Sequence, residues 1–378
     1  MRVLVAFDKF KDALTAREAG EAAAGALRAK HPDWELDLCP LTDGGEGFCE
    51  TLTFAARGRI ERQVVSGPRG GSVNAPIGFV PAHELTPAVR TRLQLRAEHQ
   101  LAVIEVAAAS GLALLAPDQR DPWLTTSLGT GEQIMQAAQA GADAILIGAG
   151  GSATNDLGLG ALSRLGYVCR NLAADLSPAV PRDWPRVTHL DPSASGRLPR
   201  LFIACDVISP LLGPDGATAT FGPQKGLKPD DILTFEALMS RMAAMLCDAC
   251  GQPRLFASAP GAGAAGGIAF GLMVACDAKL VGGYDLVSVW LDLAARLAAA
   301  DLVITGEGRF DATSLHGKGP GRIVTEARRL GKTVHVFAGS LGVHANEFTQ
   351  AITPAGMPLE TALPRTAEHL AAAVARTL

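Results

Sequence analysis

Four glycine-rich segments of this chain carry aspartate, and that combination is where chemistry first suggests itself. Asp43 lies in LTDGGEGF (Leu41–Phe48) and Asp156 in GAGGSATNDLG (Gly148–Gly158). Asp206 heads DVISPLLGPDGATATFGPQKG (Asp206–Gly226), and Asp311 lies in GEGRFDATSLHGKGPGR (Gly306–Arg322). A carboxylate can hold a divalent cation or accept a hydroxyl proton. Glycine lets backbone N–H groups close on an anion, and a following helix N-terminus adds positive dipole. The cations Lys9, Lys11, Lys225, Arg309 and Lys318 accompany them. A polyanionic ligand held with a metal fits this set, and phosphoryl transfer needs little more than positioning and charge neutralisation.

Asp206 is the expected catalytic base, because the apolar run LFIAC before it would hold it rigidly at a sheet edge. Lys9 and Lys11 are the expected catalytic cations, and Asp43, Asp311 and Asp156 the expected metal ligands. Gly44, Gly45, Gly150, Gly151, Ser152, Asn155, Arg309 and Lys318 are the expected substrate and phosphate contacts. Asn155 and Asp156 can equally cap the helix after them. Asp8 reads as a turn cap at the end of a strand, and Glu105, inside the apolar VIEVA, requires a partner, structural or catalytic. Each glycine-rich loop taken singly is as consistent with a tight connection as with a ligand site.

Other chemistries lose ground. DKFKDALTA follows the first apolar run with no G-x-G-x-x-G, against a dinucleotide site. No nucleophile elbow or HExxH is present. The single C-x-x-C, Cys247 and Cys250, has no second pair, against zinc. The net charge of −4 and the lack of a basic block argue against nucleic acid. Seven scattered cysteines suit a reduced, cytoplasmic setting rather than a disulfide framework. The uncharged Leu255–Cys276 stretch has the length of a membrane span, but PGAGAAGG makes a buried loop and core helix the better reading.

These groups need elements to hold them. With 378 residues, two domains are expected. At the start, RVLVAF reads as a buried strand, Thr15 with Glu18 as a capping box, and Glu35–Leu38 as a second strand. Near the end, DLVIT and TVHVFA read as strands between helical segments. LAVIEVA, ADAILIG and RLFIACDV supply strands between. Parallel α/β architecture follows, and it places ligand loops at the carboxyl ends of strands. The expected layout is one discontinuous domain, residues 1–66 plus 285–378, with 67–284 inserted and Asp43, Asn155, Asp206 and Asp311 meeting in the cleft with Lys9 or Lys11.

The ordered blocks AFDKFKDALTA, LTDGGEGF, AAASGLALL, TTSLGTGE, GAGGSATNDLGLG, CDVISPLLGPDGATATFGPQKG, PGAGAAGG and TGEGRFDATSLHGK span nearly the whole chain. They resemble the bacterial glycerate kinases of the first type. The resemblance implies a flavodoxin-like parallel-sheet domain built from both chain ends, with an inserted second α/β domain. It also implies ATP-dependent phosphorylation of D-glycerate with Mg²⁺, usually to 2-phosphoglycerate and less often to 3-phosphoglycerate. A monomer or homodimer with no membrane or nucleic-acid partner is expected. A kinase for another short hydroxy acid, or a weakly catalytic binding protein, are the alternatives. The chain departs from the family pattern at Asp12-Ala13, where F-K-G-S-L is usual, at Ser209, usually Asn, and at Thr313, usually Gln.

Overall fold

The stretch Arg2–Phe7 is apolar on both faces, and all but Arg2 are buried, as a parallel strand covered on two sides requires. The structure is a computed structural model describing residues 1–192, 196–315, 319–342 and 348–378. In chain order the strands used below are β1 (Arg2–Phe7), β2 (Glu35–Leu38), β3 (Arg59–Ser66), β4 (Ser72–Pro81), β5 (Gln100–Glu105), β6 (Ala144–Gly148), β7 (Arg200–Ala204), β8 (Lys279–Val281), β9 (Leu302–Gly306), β10 (Thr333–Ala338) and β11 (Thr349–Ala351).

The chain divides into a terminal unit, 1–43 with 287–378, and a central unit, 44–286. The first boundary is earlier than the expected 66/67. β3 is hydrogen-bonded along its length to β4, and the helix Phe48–Ala55 packs on β4 and β5, so residues 48–66 join the central sheet.

The terminal unit is an all-parallel sheet in the order β11-β10-β9-β1-β2. Counted within the unit, that is 2-1-3-4-5, the flavodoxin-like winding, whose ligand crevice opens where the order reverses. Here the reversal falls between β1 and β9. Thr15 and Glu18 form the expected capping box, and the helix Ala16–Lys30 lays Ala19, Ala23, Ala24 and Leu27 into the core. Val3, Val5, Ile304, Phe337 and Leu370 meet them there.

The central unit is a mixed α/β sheet, β8-β7-β6-β5-β4-β3. β5 to β8 run parallel, while the β3–β4 and β4–β5 pairs are antiparallel. Ile268–Cys276 is a buried helix of its core, and no helix among the described residues is long and apolar enough to cross a membrane. Trp184 is fully buried in the same core, despite the prolines and arginines beside it at 181–186.

Candidate active site

In the terminal unit the carboxyl ends of the strands gather charge. Beyond β2 the chain stays beside β1, with Cys39 N–H donating to the Val5 carbonyl at 2.9 Å and Leu41 N–H to Phe7 at 2.8 Å. This extension carries Asp43 to the end of β1. Asp8 follows β1 directly and donates its N–H to the Gly306 carbonyl at 2.9 Å, beside the point where Glu307 leaves β9. Asp8 is 5% exposed, and its carboxylate accepts the Lys9 N–H at 2.7 Å. Lys9 Nζ reaches Asp43 Oδ1 at 3.2 Å. Burial, then the charge of Asp43, pushes the Asp8 carboxyl up to about 7; Lys9 opposes this and Glu307 adds to it. Asp8 and Glu307 are residues the sequence reading missed. Placing the sheet's order reversal between β1 and β9 would have pointed to both.

The other terminal candidates lie at this sheet edge. Lys11 is exposed, and its backbone nitrogen would lie 3.1 Å from a Cβ added to Gly308. Asp12 takes φ 61° in the turn that closes Phe10 onto Leu14. That left-handed backbone accounts for the glycine of the family pattern, and Asp adopts it more readily than most side chains. Arg309 Nε pairs with Asp311 Oδ2 at 3.2 Å. Lys318 lies outside the described residues.

In the central unit the loop after β6 holds the second group. A Cβ on Gly148 would lie 2.5 Å from the Gly44 carbonyl oxygen, and one on Gly150 would lie 2.7 Å from Gly45 Cα. Gly150 N–H donates to the Gly44 carbonyl at 2.9 Å. These glycines join two backbones, so the amide of Gly150, expected to meet phosphate, is engaged inside the fold. The Gly151 carbonyl accepts from Leu112 N–H at 2.8 Å.

Asp156 has 0% exposure. Its carboxylate accepts the Ser127 N–H at 2.7 Å, the Ser127 hydroxyl at 2.8 Å, and the N–H groups of Gly158 and Gly160 at 3.1 and 3.2 Å. Burial pushes its carboxyl up while these donors pull it down. It ties Leu159–Arg164 to the start of Leu128–Gln139, which suits a structural anchor and not the expected metal ligand. Asn155 is also fully buried, with Nδ2 donating to Thr218 Oγ1 at 3.3 Å. Buried Lys225 donates from Nζ to Ser152 Oγ at 2.9 Å and to the Thr154 carbonyl at 2.7 Å. Nothing in the spacing of GPQKG signals that contact.

Asp206 is exposed just beyond β7, and both its carboxylate oxygens accept the Tyr284 N–H, at 2.8 and 3.1 Å. Glu105 ends β5, and its partner is structural: it accepts from Gly47 N–H at 3.2 Å and Cys49 N–H at 2.8 Å, capping the helix Phe48–Ala55. Among the described residues, no three His, Cys, Asp or Glu side chains converge into a metal cage.

Comparison with known proteins gives the chain's family. A family model described as the glycerate kinase family matches residues 3–378. A protein named glycerate kinase from Bacillus subtilis (strain 168) is 38% identical over 98% of this chain and 95% of its own length. One named glycerate 2-kinase from Escherichia coli (strain K12) is 38% identical over 90% of this chain and 86% of its own. A crystal structure from Salmonella typhimurium LT2, provisionally titled glycerate kinase 2, superposes with a TM-score of 0.76 at 38% identity, covering 100% of this chain and 96% of that one. The chain belongs to the glycerate kinase family, a family of phosphotransferases.

Proposed function

We propose that this protein transfers the terminal phosphoryl group of ATP to the C2 hydroxyl of D-glycerate, assisted by Mg²⁺. One observation carries the reading: Asp8, Lys9, Asp43 and Glu307 meet at the carboxyl ends of β1, β2 and β9, where this winding places its ligand crevice. Burial chiefly, and the charge of Asp43 after it, raise the Asp8 carboxyl, so a cation bound beside these carboxylates would be favoured. Magnesium fits such a donor set, since it takes one or two carboxylates and completes its shell with phosphate oxygens and water. Bound there, the metal and nucleotide would supply the phosphoryl group and neutralise its developing charge.

Within the terminal unit, Asp43 and Asp8 would hold the metal. Asp311, turned toward Arg309, is the weaker of the expected ligands. Lys9 and the exposed Lys11 would neutralise phosphate oxygens. In the central unit, Asp206 would accept the glycerate hydroxyl proton, its carboxylate oriented by the Tyr284 N–H. All seven cysteines are free thiols, which supports a reducing cytoplasmic setting.

The test is coupled ADP release with D-glycerate and Mg²⁺, with NMR of the product for position. The expected result is glycerate-dependent ADP release and 2-phosphoglycerate. Absence of that release overturns the reading. A higher kcat/KM for another short hydroxy acid reassigns the substrate.

A further inference from the structure

Lys225 is 2% exposed, yet it is a lysine, and the cost of sealing an amine from water calls for a reason. Its Nζ contacts the turn after β6, donating to Ser152 Oγ at 2.9 Å and to the Thr154 carbonyl at 2.7 Å. An ammonium has three hydrogens and no lone pair. Ser152 Oγ therefore accepts from it, and the serine's own hydrogen points away from the nitrogen. Among the described residues no acceptor takes that hydrogen. Ser152 as a residue is 8% exposed. Two neighbours carry further unmatched capacity: Thr154 Oγ1 and Asn155 Oδ1 are buried without a hydrogen-bond partner. The turn 152–155 holds more hydrogen-bonding groups than its own packing uses.

We propose that Lys225 is a positioning residue that makes Ser152 a fixed hydrogen-bond donor for an oxyanion of the reactants, either a carboxylate or a phosphate. The proposal rests on the kinase reading above. Its polarity is set by protonation. Asp156 is the charged group acting on Lys225 and favours the ammonium, while burial pushes the amine down to about 7. A neutral amine has a lone pair and can accept from Ser152 instead. The serine's hydrogen then turns inward, and affinity for the oxyanion falls as pH rises through that value.

Initial-rate kinetics between about pH 6 and about pH 9, across the amine's titration, test this. Ser152→Ala is expected to raise one KM roughly 10-fold or more, the usual scale for a hydrogen bond to a charged group, with kcat changed less. A rise for D-glycerate marks a carboxylate contact, and a rise for ATP marks a phosphate contact. Lys225→Met should raise the same KM, and the double variant should be no worse than either single one. The wild-type KM should climb above about pH 7, while that of Ser152→Ala stays flat. Wild-type KM values in Ser152→Ala, or a pH climb parallel to wild type, overturn the proposal. If Lys225→Met does not fold, the Ser152→Ala profile decides alone. A wild-type enzyme with no glycerate-dependent turnover removes the kinase reading and this proposal together. An active wild type with an unaffected Ser152→Ala removes only the proposal.

Discussion

Asp8 and Asp156 are buried to almost the same degree, at 5% and 0% exposure, in opposite company. Asp156 accepts three backbone N–H groups and a hydroxyl, two of these donors from Ser127 on another segment, so its charge is answered by the fold around it. Asp8 accepts one N–H from its neighbour, and Asp43 and Glu307 repel it against the opposing charge of Lys9. Burial raises both carboxyls. What separates them is whether the surroundings supply donors or further anions. A carboxylate supplied with donors bolts two helices together, and one crowded by anions has a place for a cation. Density of polar residues in the sequence does not reveal this difference, since the loop around Asp156 is the richer of the two.

The comparison breaks or holds on substitutions that keep shape. Asp8→Asn should lower kcat roughly 10²-fold without lowering the melting temperature, because it removes repulsion together with a carboxylate proposed to hold the metal. A kcat near wild type would return Asp8 to a turn cap. Asp206→Asn should also cost roughly 10²-fold in kcat, the scale of a general base. Its melting temperature should barely move, since an asparagine oxygen can still accept the Tyr284 N–H.

Asp156→Asn should act on stability. The loss is about 1.5–3 kcal/mol by denaturant titration, as donors lose a charged acceptor, with kcat of the folded enzyme close to normal. An unchanged midpoint with a raised Mg²⁺ requirement would instead restore Asp156 as a metal ligand.

The smallest effect belongs to Glu105. Burial, with help from Glu46 and Glu50, raises its carboxyl from 4.5 to about 7, against the pull of the Cys49 and Gly47 N–H groups. A raised carboxyl means the folded chain binds more protons than the unfolded one between those values, so stability falls as pH rises across them. Glu105→Gln keeps an acceptor for the helix and should flatten that slope. Identical pH dependence of the melting temperature in both proteins would show that Glu105 contributes nothing to it.

Much of the fold was legible because its signals are local. RVLVAF is buried on both faces as read, Thr15 and Glu18 close their capping box, and TVHVFA forms a strand. The helical stretch before DLVIT is two helices, Gly283–Trp290 and Leu293–Ala299, with Asp292 at φ 51° between them. Residues 48–66 were misassigned because nothing within RIERQVVS says which sheet it pairs with; eight rungs to β4 decide that.

The chain's own order of residues determined its family, its alternation of strands and helices, and the aspartates and lysines available for chemistry. Those follow from composition, spacing and side-chain type, which are local. Tertiary structure decided which of them are answered. The extension past β2 brings Asp43 beside Asp8, Gly150 is engaged by Gly44, four donors enclose Asp156, and Lys225 comes against Ser152 from 73 residues away. A carboxylate or an amine takes its character from the charges and donors within a few ångströms. Residues distant along the chain provide those neighbours, so only the folded protein assigns the roles.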